Sequence, residues 1–415
     1  MSICRPKMSV CSEKRVILRE TFNSWKMRLS KTPLLGRIGI AIILGIVIGQ
    51  IAPMWFARIF ATFNDLFANF LSFIVPLIIM GLIAPAIGEL GKGAGRLLLI
   101  TALIAYLSTL FSGFFTFFSC QAVFPKMISS GVDSSMLQNI DEAVVAPFFT
   151  IAMPPVIDVM SALILSFSVG LGLTFIKGDS LQKVFVDFRD IITLIINAVI
   201  IPLLPLYIFG MFLSMSVSGE VFSVIALFLQ VILIIFVLHI LLLLIQYFVA
   251  GAISKRNPLK SLKTMLPAYA TALGTASSAA TIPVTLDCAL KNRVNYDVAS
   301  FVIPLCATIH LAGSTMKIVG FALAILYFYG LPVDFVTFSG FIFMLGIAMV
   351  AAPGVPGGAI MAAIGIIQSA LGFNEQMTGL MITLYIAVDS FGTACNVTGD
   401  GAIALVVDRI FMKSR

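Results

Sequence analysis

The chain has 415 residues, of which 60% are hydrophobic and only 11% are charged, and its mean hydropathy is +1.09. A soluble protein carries about 25% charged residues. The composition therefore excludes a soluble protein with a large apolar core and indicates a polytopic membrane protein. The net charge of +7 comes from short Lys and Arg clusters between apolar stretches, which is typical of membrane proteins and gives no reason to expect a nucleic-acid partner. Six scattered cysteines and two histidines, His239 and His310, give no pattern of a zinc or haem site.

A basic N-terminal segment precedes the apolar stretches. Residues 1–33 are rich in Lys and Arg and are predicted to be cytoplasmic. The apolar run that follows lacks the small-residue cleavage site of a signal peptide, so we expect a retained first helix. The region 34–250 then predicts six transmembrane helices. Their expected positions are 36–54, 57–84, 96–124, 150–176, 190–217 and 221–250.

The charges of the connections predict the orientation. Connections after the second, fourth and sixth predicted helices are basic, with Lys92, Lys183 and Arg256 as examples. The other connections are poor in basic residues and carry acidic ones such as Asp141 and Glu220. Because basic loops stay on the cytoplasmic side, both chain termini are predicted to be cytoplasmic.

The C-terminal region, 260–408, does not continue this alternation. Its first part, 260–291, is apolar enough to enter a membrane, yet basic residues flank it at both ends. Its centre contains small polar residues, and each arm has about 10–12 residues, which is too short to span a bilayer. We therefore predict a re-entrant helical hairpin, because non-helical backbone at that depth is tolerated only inside protein or beside a wet cavity.

Two further helices and a second hairpin complete this region. A seventh helix is predicted over 296–330 and an eighth over 377–408. Between them, the apolar stretch 335–373 contains the Pro- and Gly-rich run 353–358, which cannot continue a helix. Its flanks are acidic, so this hairpin is predicted to enter from the external side. The predicted fold class is an all-α polytopic membrane protein with eight transmembrane helices and two oppositely oriented re-entrant hairpins.

The eighth predicted helix carries a polar stripe. Its members are Asp389, Thr393, Asn396 and Asp400. At about 100° per residue they fall within roughly 60° of one helix face. Carboxylates inside a bilayer are costly and are therefore functional candidates. Carboxylate, amide and hydroxyl oxygens suit a small hard cation together with an ammonium group, so the stripe predicts a cation-coupled transporter.

Three motifs resemble the dicarboxylate/amino acid:cation symporter family. In chain order they are SSAATIPVT at 277–285, PGVPGG at 353–358 and NVTGD at 396–400. The similarity covers about 260–408, whereas the N-terminal half agrees only in helix count and hydropathy. Within the family, the stretch 389–396 is most similar to the bacterial sodium/serine-threonine symporters.

The resemblance implies an architecture and a function. It implies a homotrimer in the bacterial inner membrane, in contact with lipid. The region 34–250 would be mostly scaffold, with part of it in a transport domain that slides across the membrane like an elevator, and 260–408 would form the core of that domain. The resemblance also implies import of L-serine and L-threonine together with sodium.

The resemblance further implies two sets of site residues. The substrate would be bound by Ser277, Ser278, Ser314, Val355, Pro356, Gly357, Asp389, Gly392, Thr393 and Asn396. Sodium would be bound by Cys306, Thr308, His310, Leu311, Asn396 and Asp400. Asp389 would bind the substrate's ammonium group and Asn396 its carboxylate. Each of these residues also has a purely structural alternative. Asp389 would form an ion pair with Lys317, and the two hairpin serines would serve helix packing. The hydroxyl groups of Thr393 and Ser314 would bond to the backbone of their own helices.

Departures from the family pattern predict the substrate and the ion. Gly392 stands where the acidic amino acid transporters have arginine, so no cation is expected to face a side-chain carboxylate and a neutral substrate is predicted. Thr393 and Ser314 would then bind its hydroxyl group. The sequence HLAGS at 310–314 lacks the family's aspartate, and Tyr385 replaces another. Fewer sodium ions than in the glutamate transporters are therefore expected, with one as the simplest number.

Several alternatives stay open from the sequence. Protons in place of sodium, a broader range of neutral amino acids or dicarboxylates, and channel-like conductance all fit the same fold. His310 fits either a neutral ligand or a buried core residue. An enzyme is not expected, because the sequence has no Ser–His or paired-Asp arrangement for hydrolysis, and without a GxxxxGK[ST] motif an ATP-driven pump is not expected either.

Overall fold

The computed structural model describes residues 34–91, 96–128, 145–217, 219, 221–352 and 356–412. Within these ranges the chain is all-helical and contains no strand. The helices are α1 (Leu34–Gly49), α2 (Met54–Gly91), α3 (Arg96–Ile128), α4 (Val159–Phe175), α5 (Ser180–Ile195), α6 (Ile201–Val217), α7 (Val221–Ser254), α8 (Pro258–Thr264), α9 (Leu266–Thr275), α10 (Ser278–Lys291), α11 (Tyr296–Ile309), α12 (Ala312–Phe328), α13 (Phe335–Ala351), α14 (Gly358–Leu371), α15 (Glu375–Ala387) and α16 (Asp389–Met412), with a π-helical turn between α5 and α6. An apolar chain in a bilayer must satisfy its backbone internally, and helices do so.

The lengths of the helices support a multi-pass membrane protein. Among the described residues, five helical stretches are long and apolar enough to cross a membrane, and the bent pair α15–α16 makes a sixth. Two predicted spans are shorter than expected, since α1 has 16 residues and α4 has 17. The predicted start of the fourth span at 150 is wrong, because Pro154 and Pro155 lie in a non-helical stretch before α4. The all-α membrane class is confirmed, and the count of eight helices with two re-entrant hairpins stays a prediction.

Two pairs of short helices lie where the hairpins were predicted. Helices α9 and α10 pack against each other across a sharp turn, at which Ala276 has a left-handed φ of +48°. Ser277 then caps α10 by accepting a hydrogen bond from the Ala280 N–H. Helices α13 and α14 also pack against each other, and Gly357, with φ +75°, begins α14. The first half of the Pro- and Gly-rich run, 353–355, lies outside the described residues.

Two of the predicted spans are interrupted. The seventh, 296–330, unwinds at His310 and Leu311, between α11 and α12. The eighth, 377–408, bends by 61° between α15 and α16. The sequence did not indicate either break, because neither has Pro or Gly at its centre. Each break leaves helix-terminal N–H and C=O groups inside the protein, where such groups can bind ions.

Burial separates the central helices from the peripheral ones. Of the most apolar window of 296–328, 94% is buried, against 28% to 61% for the other four long spans. Helix α12 contacts α3, α7, α15 and α16. By contrast, α3 and α7 expose large apolar side chains at helical spacing, as lipid contact requires. Examples are Leu99, Leu103, Leu107, Phe111, Leu229, Leu233, Val237 and Ile240. The polar stripe of α16 therefore lies beside the best-shielded helix of the described fold.

Arg256 joins the end of α16 to the end of the first helix pair. Its guanidinium donates to the carbonyl oxygens of Asn292 and Arg293 and, at 3.4 Å, to Asp408 Oδ2. The other oxygen of Asp408 accepts from the Asn295 N–H at 3.1 Å. Because Asp408 is largely buried, this cluster holds the two segments together.

Replacing Arg256 by alanine is expected to lower the stability of the purified protein by about 1–3 kcal/mol, since Asp408 Oδ2 and two carbonyl groups lose this donor. Thermal unfolding in detergent measures the effect. The exposed Arg409 on the same helix as Asp408 gives a matched control, and Arg409→Ala should unfold as the wild type does. Equal melting temperatures for Arg256→Ala and the wild type would contradict the structural role of this cluster.

Candidate functional site

The predicted polar stripe lies on α16 and is buried. Its side chains are exposed by 7% (Asp389), 7% (Thr393), 2% (Asn396) and 1% (Asp400). Because α16 begins at Asp389, the 61° bend places this carboxylate at a helix N-terminus, where the helix dipole favours negative charge. The helical stripe is thus confirmed as a structural feature, and its binding roles stay predictions.

Both carboxylate oxygens of Asp389 already have donors. Oδ1 accepts from the Lys317 ammonium group at 2.9 Å, and Oδ2 accepts from the Gly357 N–H at 2.8 Å. The Lys317 side chain is fully buried, and its Nζ also lies 3.7 Å from the centre of the Tyr385 ring. The ion pair that was the alternative reading of Asp389 is therefore present. The ion pair joins α12 to α16, and the bond from the Gly357 N–H adds the N-terminus of α14.

The expectation that Gly392 leaves this site without a cation is wrong. A Cβ atom at Gly392 would lie 2.3 Å from Lys317 Cε and 2.5 Å from Nζ. The lysine side chain from α12 thus fills the volume beside this glycine of α16. The positive charge comes from a neighbouring helix, so the residues of α16 alone do not reveal it. The site contains one cation and one anion side by side.

Gly392→Ala is expected to weaken transport because its methyl group would take the space in which the end of the Lys317 side chain lies. Overpacking of this kind costs about 1–3 kcal/mol, and if half of it falls on the bound state, substrate affinity falls by roughly 2- to 12-fold. Uptake kinetics in proteoliposomes measure the loss. Gly340→Ala is the matched control, because nothing lies within 4 Å of a Cβ atom at that helical glycine. Unchanged kinetics in Gly392→Ala would place Gly392 outside the site.

A neutral hydrogen-bond network lies next to the ion pair. Ser314 Oγ accepts from the Tyr385 hydroxyl at 3.0 Å and from Asn396 Nδ2 at 3.0 Å. Asn396 Oδ1 accepts from the N–H groups of Gly313 and Ser314 at 2.8 and 3.3 Å. The Asn396 side chain on α16 thus caps the first turn of α12 and satisfies N–H groups that the break after α11 leaves without a helical partner.

The remaining hydroxyl of the stripe faces its own helix. Thr393 Oγ1 donates to the Asp389 carbonyl oxygen at 3.1 Å, which is the backbone bond foreseen as the alternative. Its oxygen can still accept a hydrogen bond from a ligand. Ser314, in contrast, uses its oxygen twice and keeps its own hydroxyl hydrogen for donation.

The hairpin-tip residues of the predicted site are only partly described. Ser278 is buried, and Ser277 is half-buried and caps α10. Pro356 is half-buried, and Gly357 is buried with its N–H on Asp389. The predicted substrate ligand Val355 lies outside the described residues. Gly357 is thus the described tip residue that contacts the stripe through a hydrogen bond.

Asp400 belongs to a second buried polar cluster. Its Oδ1 lies 2.9 Å from His310 Nδ1, and His310 Nε2 lies 3.0 Å from Ser108 Oγ on α3. Gln246 Nε2 on α7 donates to the same hydroxyl at 3.1 Å. His310 is therefore a bonded member of the cluster. Its position at the break after α11 ties that break to α16 and α3.

Two oxygen atoms of this cluster are unsatisfied. Asp400 Oδ2 and Gln246 Oε1 are buried and have no hydrogen-bond partner within the described part of the chain. A buried carboxylate oxygen without a donor is costly, and a cation would satisfy it. The described residues gather no group of three or more His, Cys, Asp and Glu side chains that could hold a metal. Backbone and amide oxygens would therefore have to complete a sodium site, which suits a hard cation.

The other predicted sodium ligands surround the break after α11. Cys306 and Leu311 are buried, so their carbonyl groups lie inside the protein. The Cys306 carbonyl oxygen accepts from the His310 N–H at 2.9 Å. Thr308 is exposed, and its hydroxyl donates to the Leu305 carbonyl oxygen. Cys306, His310 and Leu311 thus lie together at the end of α11, while the Thr308 hydroxyl is bonded to the backbone of that helix.

Several residues of these two clusters belong to no motif in the sequence. The sequence predicts Lys317 only as the alternative partner of Asp389, and it predicts no role for Ser108 and Gln246. A buried lysine in an apolar helix was a signal, since charged groups inside a membrane are functional candidates. Ser108 and Gln246 gave no such signal, because neutral polar residues are common on transmembrane helices.

Broken helices that meet in the interior, with paired charges at one break and a buried carboxylate bonded to the other, are features typical of membrane transporters. A family model described as the Sodium:dicarboxylate symporter family matches residues 34–410. The chain belongs to this family. It is a multi-pass membrane transporter that couples sodium to the symport of dicarboxylates or amino acids.

Proposed function

We propose that the protein is a sodium-coupled symporter that imports small neutral amino acids, with L-serine and L-threonine as the main substrates. The observation that carries this proposal is the balanced charge of the site. Lys317 and Asp389 neutralise each other at 2.9 Å, so the site has no surplus charge for a substrate to compensate. A zwitterion brings no net charge into this buried place, whereas an acidic amino acid would bring an uncompensated anion.

Hydroxylated substrates match the neutral groups beside the pair. The Ser314 hydroxyl hydrogen and the Thr393 hydroxyl oxygen offer a donor and an acceptor near Asn396. A site that bonds a substrate hydroxyl discriminates strongly against the analogue that lacks it. Serine and threonine are therefore proposed to bind more tightly than alanine.

Sodium is proposed to bind at Asp400. The unsatisfied Oδ2 atom supports this assignment, together with Asn396 and the backbone near Cys306, His310 and Leu311. One coupled sodium ion would suffice for the single unsatisfied carboxylate oxygen. The close contact of His310 with Asp400 supports a proton as the alternative coupling ion.

The assembly and motion follow from the family resemblance. We propose a homotrimer in the bacterial inner membrane with both termini in the cytoplasm. The helices within 34–250 would form mostly scaffold, and those within 260–408 the core of a transport domain that moves as an elevator. The deep burial of α12 among its neighbours supports a compact moving core.

Uptake of labelled serine into proteoliposomes tests the proposed function. An inward sodium gradient is expected to drive saturable uptake that unlabelled threonine blocks and glutamate does not. Uptake driven by a proton gradient alone would leave the predicted fold unchanged and would mean that Asp400 binds a proton in place of sodium. Absence of uptake of any small neutral amino acid by folded protein would overturn the proposed substrate class.

A dicarboxylate is the second candidate substrate. The ammonium group of Lys317 beside Gly392 supports it, because it offers a positive charge where a second carboxylate would need one. Sodium-driven uptake of succinate, blocked by malate and not by serine, would favour this candidate over the first.

A further inference from the structure

We propose that Lys317 is a substrate-specificity residue: it holds Asp389 in the empty site, and when the substrate binds it releases Asp389 to the substrate's ammonium group and takes the substrate's carboxylate in return. This inference rests on the proposed transport of small amino acids and names the side chain that carries the charge of the substrate carboxylate.

A substrate's ammonium group competes with Lys317 for Asp389. Lys317 donates to Oδ1 and the Gly357 N–H to Oδ2, and although each oxygen can accept a second bond, a carboxylate already neutralised by the lysine has no charge left for a second cation. Of these two donors, Lys317 is at the end of a flexible four-carbon side chain, whereas Gly357 donates from the backbone. Lys317 is therefore the donor that moves at the lower cost.

The charge balance selects the kind of ligand that can exchange with the pair. A ligand with only an ammonium group would leave two cations facing one buried carboxylate, and one with only a carboxylate would leave two anions facing one lysine. A zwitterion gives each of the four charges one opposite partner and keeps the net charge at zero. Because an unpaired buried charge is strongly unfavourable, the pair itself selects small zwitterions.

The surroundings of Lys317 allow its ammonium group to move without losing all of its contacts. The side chain lies against Gly392, where even a Cβ atom would collide with it. Its Nζ lies 3.7 Å from the centre of the Tyr385 ring, and a cation–π contact persists when Asp389 is given up. Tyr385 thus supports the lysine in both pairings.

Asn396 does not offer a charge to the substrate carboxylate. Its Oδ1 accepts from the N–H groups of Gly313 and Ser314, and its Nδ2 donates to Ser314 Oγ. One neutral amide hydrogen is left, which can orient a carboxylate and cannot neutralise it. Lys317 is the buried cation that lies at this site in the described part of the chain.

Binding of L-serine and of ethanolamine to the full-length protein in sodium tests the inference. Ethanolamine keeps the hydroxyl and ammonium groups of serine and lacks the carboxylate. The wild type is expected to bind serine and to bind ethanolamine at least about 30-fold more weakly. Lys317→Met should lose about 30-fold or more in serine affinity, because the carboxylate has no cation, and should gain affinity for ethanolamine, because Asp389 has no competitor.

Two further variants make the result decisive. Lys291→Met removes an exposed lysine that is paired with Asp287, and it should bind both ligands as the wild type does. Lys317→Gln, whose amide still donates to Asp389, replaces Lys317→Met if the latter does not fold, and the same reversal of preference is expected. Melting temperatures establish that each variant is folded.

The possible outcomes separate this inference from the proposed function. A parallel loss of affinity for both ligands would make Lys317 purely structural and overturn the inference. Tighter serine binding in Lys317→Met would show that Lys317 only competes with the substrate's ammonium group for Asp389, and this result would also overturn the inference. If the wild type binds no serine in sodium, the proposed function fails and the inference fails with it. Serine binding by the wild type with an unchanged preference in the variants overturns this inference alone.

Discussion

Asp389→Ala is expected to abolish sodium-driven serine uptake and to lower serine affinity by at least about 100-fold, because the substrate's ammonium group loses its buried carboxylate partner. The same change leaves the Lys317 ammonium group buried without an anion. Breaking a buried pair in this way destabilises a protein by about 3–5 kcal/mol. Equilibrium binding and thermal unfolding of the purified variant measure the two effects separately.

A double variant separates the loss of binding from the loss of stability. Lys317→Met combined with Asp389→Ala removes both charges and should recover much of the melting temperature, while serine binding stays absent. Asp287→Ala breaks the exposed Lys291–Asp287 pair and serves as the surface control, with transport and stability close to wild type. Wild-type serine affinity in Asp389→Ala would show that Asp389 is only a structural partner of Lys317.

Asp400→Asn is expected to raise the sodium concentration for half-maximal uptake by at least about 100-fold. The amide is nearly isosteric with the carboxylate, so the contact with His310 is largely kept, and the change removes the negative charge that sodium needs. Serine binding in the absence of sodium should be unchanged. Sodium titrations of uptake and of serine binding give the two values.

A control on the same helix tests whether the effect belongs to the ion site. Asp408 is also largely buried, but its oxygens bond the Asn295 N–H and Arg256 at the far end of α16. Asp408→Asn should lower stability and leave the sodium dependence as in the wild type. If Asp400→Asn kept the wild-type sodium dependence, the sodium site would have to lie elsewhere. Loss of proton-driven uptake in that variant would instead assign Asp400 to a proton.

The contacts of the two carboxylates connect the proposed ion site to the proposed substrate site. Asp389 joins α16 to Lys317 on α12 and to Gly357 at the start of α14. Asp400 joins the same helix to His310, which lies immediately before α12, and through it to Ser108 on α3. An ion at Asp400 would therefore favour one arrangement of the break before α12, and that helix carries Lys317. Coupling of this kind is reciprocal, so sodium should tighten serine binding and serine should tighten sodium binding by the same factor.

The two pairs of short helices were predictable because their causes are local. Short apolar arms with polar or Pro- and Gly-rich centres cannot continue as single spanning helices, and the pairs α9–α10 and α13–α14 lie at the expected places. The breaks at His310 and at Val388 were not predictable from local sequence. They are held by contacts from other helices, such as Asn396 on the amide groups of Gly313 and Ser314.

The sequence by itself determined the membrane class, the positions of most helices and the polar stripe of α16. These depend on composition and on the 3.6-residue period, which one segment carries alone. Only the tertiary structure decided the partners of the stripe. Lys317 and Asp389 are separated by 72 positions and His310 and Asp400 by 90, so their pairing depends on how α12 and the end of α11 pack against α16. The charge of the proposed substrate site is for that reason a property of two helices together.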